Sequence, residues 1–143
     1  MKVILLEGKA NTGKTTLANK IKYWLEENQF VQETENSKGR DFSAVYSKTI
    51  KGKEMRIHLN SLSDTKRDIQ ERKEFYDINK KGGYDIFITA IRPKEINPNL
   101  NLWLKRIYER DISELEKKLE VKLEHINSDY LLKKFISLFE SLL

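Results

Sequence analysis

The 143-residue chain has no cysteine and only two histidines, and its longest early apolar run is Val3-Ile4-Leu5-Leu6. Without cysteine there is no disulfide, no thiolate zinc site and no thiol nucleophile, and the absence suits a reducing compartment. That apolar run is far short of the ~20 residues that span a bilayer, and no signal-peptide pattern follows Met1-Lys2. The expectation is a cytoplasmic protein with no membrane association. His58 and His125 stand alone in strand-like stretches, without partners at ligand spacing, and read as structural rather than metal-binding. Chemistry is left to Asp, Glu, His, Lys, Arg, Ser and Thr.

What is present suits one unit. At ~150 residues per domain the length fits a single domain, 1–143, and excludes multidomain motors and polymerases. Hydrophobic residues make up 38% and charged residues 34%, so the chain has a core to bury and is not a disordered tail. The formal net charge is +5, with a basic surplus of two in residues 1–40, three in 41–100 and none in 101–143. There is no concentrated basic run and no aromatic-basic interleaving, so the expected anionic partner is a small phosphate-bearing molecule and not a nucleic acid.

Along the chain, Lys2 to Glu7 reads as a buried strand, and Gly8 to Gly13 as a glycine-bounded loop. From Lys14, the residues Leu17, Ile21, Trp24 and Leu25 recur at helical spacing and predict a helix to about Asn28. Residues 32–41, QETENSKGRD, predict an exposed loop. Ser43 to Ile50 and Met55 to Asn60 are strand-like, and Lys51-Gly52-Lys53 between them predicts an antiparallel hairpin. Ser63-Asp64 offers the N-cap of a helix that stops at Gly82-Gly83, and Tyr84 to Ala90 is a further apolar strand. Residues 99–119 predict one long helix or two, Val121 to Ile126 a strand, and Asp129 to Leu142 a final helix capped by Ser128 or Asp129. The wide apolar face of that last helix, including Leu131, Phe135, Leu138 and Phe139, is explained first by core packing and second by self-association into a homodimer. The order is that of an α/β protein, in which ligands bind at the carboxyl ends of parallel strands, here after Glu7, Asn60 and Ala90.

Gly8-Lys9-Ala10-Asn11-Thr12-Gly13-Lys14-Thr15 fits G-x-x-x-x-G-K-[ST] at every fixed position, with a strand before it and a helix after it. Glycines there let the chain turn tightly and aim successive backbone N–H groups inward, and the helix N-terminus adds partial positive charge. Lys14 reaches the β- and γ-phosphates, the Thr15 hydroxyl is placed to ligate Mg²⁺, and Thr16 continues the turn on the α-phosphate side. The expected phosphate-binding set is Gly8, Ala10, Asn11, Thr12, Gly13, Lys14, Thr15 and Thr16. The sequence resembles the P-loop NTPases, specifically over residues 1–28. The resemblance implies a nucleoside triphosphate with Mg²⁺ as ligands. It also implies a three-layer α/β P-loop fold: a mostly parallel sheet of about five strands, one antiparallel hairpin strand, and helices on both faces.

P-loop proteins hold an acid beside the metal. Asp85 opens its strand at the amino edge of the sheet, the wrong edge for a ligand. Asp64, in HLNSLSD, is the candidate for holding a metal-bound water or orienting a nucleophile, a role compatible with capping the helix that follows. Here the chain departs from the family's pattern, in which the acid directly follows an unbroken apolar strand. Arg92 reads either as an arginine finger supplied in cis to the γ-phosphate or as a solvated residue before Pro93, with Thr89 in the same crevice. Arg106 and Arg110 share a helix face and resemble the arginine-bearing lid of nucleotide kinases, although Glu109, Asp111 and Glu114 favour a salt-bridged surface helix. Lys38 and Arg40 are either a grip on a small-molecule acceptor or exposed loop charges.

The hairpin and Asn11 resemble small GTPases, but Asn60-Ser61-Leu62-Ser63-Asp64 replaces D-x-x-G, and N-K-x-D is missing. ATP is therefore the expected nucleotide. The implied function is a Mg²⁺-dependent ATP-binding protein, a small kinase, phosphotransferase or ATPase acting on the γ-phosphate. Lys14 would neutralise charge, Asp64 orient the nucleophile and Arg92 support the transition state. The alternative is a nucleotide-dependent regulatory module, a slow GTPase-like switch acting through a partner or dimer.

Overall fold

In the computed structural model, residues 2–7, 14–39, 41–61, 85–91, 98–99, 102, 106 and 128–143 are described. They form β1 (Lys2–Glu7), α1 (Lys14–Glu27), β2 (Val31–Lys38), β3 (Asp41–Ile50), β4 (Lys53–Asn60), β5 (Ile86–Ile91) and α2 (Ser128–Leu142). β1 and β5 are the most apolar strands; they pair in parallel, and Val3 to Leu6 and Ile86 to Ile91 are buried on both faces although β1 ends the sheet order. The sheet order is β1-β5-β4-β3-β2.

Among the described residues the expected three-layer, mostly parallel arrangement with helices on both faces is not what forms. β1–β5 and β4–β5 are parallel, whereas the longer β2–β3 and β3–β4 ladders are antiparallel, so the sheet is mixed. Both described helices pack on the same face of it. The difference arises largely from residues 32–41, expected as a loop: 32–38 belong to the edge strand β2 and Asp41 opens β3. An edge strand pairs on one side only and leaves its side chains in water, so a polar sequence such as VQETENSK forms it without apolar alternation. The expected strand over 121–126 and the expected helix from Ser63 to Gly82 lie outside the described residues. Of the expected helix over 99–119, Asn99, Leu102 and Arg106 are described as helical.

Local chemistry sets the connections. The β3–β4 hairpin turns on Lys51 and Gly52, both at positive φ (50° and 78°), with Ile50 opposite Lys53. That is a two-residue turn whose twist matches the strands it joins. α1 ends in a Schellman motif: Gln29 takes φ 68°, its N–H reaches Glu26 O at 3.1 Å, and Phe30 N–H reaches Leu25 O at 3.0 Å. Phe30 and Leu25 are both buried, giving the motif its hydrophobic contact.

The core lies between one sheet face and the two helices. Leu17, Ala18, Ile21 and Leu25 of α1 and Leu131, Phe135, Leu138 and Phe139 of α2 meet Ile4, Leu6, Tyr46, Ile57, Leu59, Ile86 and Ile88. Trp24 sits edge-on to Phe135 and Phe139, with ring centroids 6.2 and 5.4 Å apart. Core packing is thus what occupies the apolar face of α2. The opposite sheet face, with Val3, Leu5, Val45 and Phe87, is buried as well. No helix among the described residues is long and apolar enough to cross a membrane.

Candidate functional site

Because β1, β5 and β4 run in the same direction, their carboxyl ends at Glu7, Ile91 and Asn60 lie along one sheet edge. β3 runs the other way and starts there, so Asp41 arrives beside the end of β4, with Ser43 opposite Asn60. α1 begins at Lys14 on the same side, and this brings its first turn against the head of β3.

The contact between them is specific. Thr15 Oγ1 donates to Asp41 Oδ1 at 3.0 Å, and Ser61 Oγ donates to the same oxygen at 3.1 Å. Ser61 is held in turn: its hydroxyl accepts from Phe42 N at 2.9 Å, and its own N–H donates to Phe42 O at 2.9 Å. Asn19 Nδ2 donates to Thr15 O at 2.9 Å, fixing the first turn of α1 from the side. Asp41 is half-buried, and among the described residues its Oδ2 accepts no hydrogen bond. A threonine that gives its proton to a carboxylate keeps its oxygen lone pairs for a cation. One carboxylate with hydroxyl oxygens is the partial donor set that suits Mg²⁺, which keeps several waters and takes its remaining ligands from substrate phosphates.

A second polar group lies one residue deeper. Asn60 Nδ2 donates to Thr89 Oγ1 at 3.0 Å, and Ser43 Oγ and His58 Nε2 are 2.6 Å apart. All four side chains are buried, and His58 also stacks on Phe87 with centroids 4.9 Å apart. Among the described residues no group of three or more His, Asp or Glu could hold a metal by itself.

Of the residues read from the sequence, Thr15 stands at the site, Thr16 follows it exposed on α1, and Thr89 lies beneath the same edge. Lys14 is the first residue of α1. Lys38 is paired by register with Asp41, which puts its backbone at this edge as well. Arg106 is exposed. Gly8, Ala10, Asn11, Thr12, Gly13, Arg40, Asp64, Arg92, Arg110 and His125 lie outside the described residues. Asp85 is at the opposite edge, as expected: its Oδ2 accepts from Arg56 N at 3.0 Å, and Oδ1 is 3.5 Å from Lys53 Nζ.

Asp41 and Ser61 were missed in the sequence. A signal existed, since a two-residue turn at Lys51-Gly52 pairs Ile50 with Lys53 and so carries Ser43 to Asn60, with Asp41 just beyond. Comparison of the chain with models of known protein families, with curated proteins and with solved structures finds no match.

Proposed function

We propose that this chain binds ATP with Mg²⁺ at the carboxyl edge of the sheet and acts on the γ-phosphate, as a small phosphotransferase or ATPase. The observation that carries the reading is the Thr15–Asp41 hydrogen bond at the head of α1, directly after a segment with the phosphate-loop pattern. In this reading the N-terminal turn of α1 and the Lys14 ammonium attract the phosphates, and Thr15 presents its oxygen to the cation because its proton is held by Asp41. Asp41 contributes negative charge on the cation side, and Ser61 keeps that carboxylate in place. Bound Mg²⁺ supplies charge neutralisation at the β- and γ-phosphate oxygens. Asp64 is proposed to orient the nucleophile and Arg92 to meet charge that develops on the γ-phosphate. The small-molecule acceptor, where one is used, is proposed to approach from the side of Lys38.

The regulatory alternative required residues 32–41 to act as a switch loop. These residues include β2, a strand bound to α1 through Lys22 and Glu35, which favours the enzymatic reading. The test is isothermal titration with a non-hydrolysable ATP analogue, with Mg²⁺ and with EDTA. Saturable binding that weakens in EDTA, and by at least about tenfold in Lys14→Ala, is expected. Equal affinity in Lys14→Ala, or no binding by the parent chain, overturns the assignment.

A further inference from the structure

The edge of the sheet opposite Thr15 and Asp41 holds a cavity of 440 Å³, lined by Lys2, Ile50, Lys51, Lys53, Met55, Asp85, Ile86, Leu142 and Leu143. That volume falls in the range of small-molecule sites, about 300–1,000 Å³. The sequence brings its walls together in a definite way. Lys2 opens β1 opposite Ile86, the positive-φ turn at Lys51-Gly52 closes the β3–β4 hairpin, and α2 ends over the gap at Leu142.

Two features of the lining define its chemistry. Ile50, Met55, Ile86 and Leu142 form an apolar surface, with Ile86 fully buried and the other three half-buried. Around it stand three lysines, Asp85 and the α-carboxylate of Leu143, and Asp85 is already engaged. Asp85 Oδ2 accepts from Arg56 N, and Oδ1 faces Lys53. Lys2 and Lys51 make no ion pair among the described residues. Like charges gathered at one rim repel, so an anion between them is favoured. The cavity therefore combines an apolar surface with a net positive charge at its mouth.

We propose that this cavity binds a free alkyl carboxylate of medium length, its chain on Ile50, Met55, Ile86 and Leu142 and its carboxylate between Lys2 and Lys51. The site is independent of the phosphate edge and does not rest on the ATP reading. An alkyl anion matches both halves of the lining, whereas an inorganic anion leaves the apolar surface wet and an alcohol leaves the lysines unmatched.

The probe is octanoate, titrated into the 143-residue chain by NMR and calorimetry, with hexanoate, decanoate and octanol beside it. Saturable octanoate binding is expected, with shifts at Met55, Ile86 and Leu142. Each methylene that becomes fully buried should tighten binding about fourfold until the cavity is filled. Octanol should bind at least about tenfold more weakly than octanoate. Lys2→Glu and Lys51→Glu, both exposed and outside the core, should each weaken octanoate while leaving the circular dichroism and ATP-analogue binding unchanged. No saturable binding, equal binding of octanol, or no chain-length dependence overturns the proposal. So does association with phosphatidylglycerol vesicles without binding of free octanoate, which would make the rim a membrane contact.

Discussion

Asp41 has two separable properties, its geometry as an acceptor and its negative charge. Asn at this position can still accept from Thr15 and Ser61 through its amide oxygen, so Asp41→Asn should keep the local hydrogen bonds and remove only the charge. The expected result is ATP-analogue binding that no longer differs between Mg²⁺ and EDTA, with unchanged affinity in EDTA. Mg²⁺ dependence equal to that of the parent chain would assign the cation to another acid, Asp64 first. Asp41→Ala is a different experiment, because it removes the acceptor of the part-buried Thr15 hydroxyl, while Ser61 Oγ keeps Phe42 O at 3.3 Å, at a cost of about 1–3 kcal/mol in urea unfolding. Gln29 offers a test of stability alone. Its φ of 68° lies in the left-handed region, where a side chain is strained and glycine is not. Gln29→Gly should stabilise the chain by about 0.5–1 kcal/mol, read as a higher urea midpoint at constant slope. An unchanged or lower midpoint would mean that the Schellman turn is held without strain.

Among the elements, α1 and the β2–β3 hairpin are joined at several levels. Besides Thr15–Asp41, Lys22 pairs with Glu35 and lies 5.3 Å from the Phe42 ring centroid, and Lys48 Nζ donates to Asn28 O at 2.7 Å. The Tyr46 hydroxyl lies 3.3 Å from both Glu26 Oε1 and Gln32 Oε1, and burial, reinforced by the Glu26 charge, raises its pKa. On the far side of the hairpin Glu33 pairs with Arg56 at 2.7 Å, and that hydrogen bond, opposed by desolvation, lowers the Glu33 pKa. A lowered folded-state pKa contributes stability above the unfolded value and loses it as pH falls through the folded one. Glu33→Gln should therefore cost up to about 1 kcal/mol near neutral pH. The difference from the parent chain should shrink in urea titrations as pH falls below about 4.3 and disappear only below the lowered folded-state pKa. A cost that persists there would belong to packing and not to charge.

The same elements show what was legible beforehand. β1, α1, the β3–β4 hairpin and α2 carry strong apolar periodicity or turn chemistry, and each forms close to its expected bounds. β2 was illegible because one-sided pairing at an edge demands no apolar pattern, and the second antiparallel ladder, β2–β3, was lost with it. Asp41 is the consequence at the site. Read as the end of a loop it has no neighbours, and only the pairing of β3 with β4 brings it to Ser61 and Thr15. Thr15 was singled out from local spacing alone, as the residue after the lysine of the G-x-x-x-x-G-K-[ST] pattern, and its contact with Asp41 came from long-range pairing. Asp64 was chosen by its place after β4, but the acid met by Thr15 comes from the neighbouring antiparallel strand.

For the whole molecule, the proposed nucleotide binding would be linked to folding through α1. This helix supplies Thr15 to the site and Leu17, Ala18, Ile21 and Leu25 to the core, so a ligand that holds its first turn opposes unfolding of the whole domain. At a free ligand concentration 100 times Kd the gain is about 2.7 kcal/mol. A chain of this size shifts its Tm by about 2–4 °C per kcal/mol, so Mg²⁺ with the ATP analogue should raise Tm by roughly 5–10 °C. Lys14→Ala should melt where the unliganded parent melts and show a clearly smaller rise, in line with its weaker binding of the analogue. Asp41→Asn should show the same rise with Mg²⁺ as with EDTA. Octanoate, bound at the other edge against Leu142 of α2, should raise Tm equally in the parent chain and in Lys14→Ala. If Lys14→Ala keeps the full ATP-dependent rise, the nucleotide is held away from the head of α1. If the octanoate shift is also lost in that variant, the two edges are not independent sites.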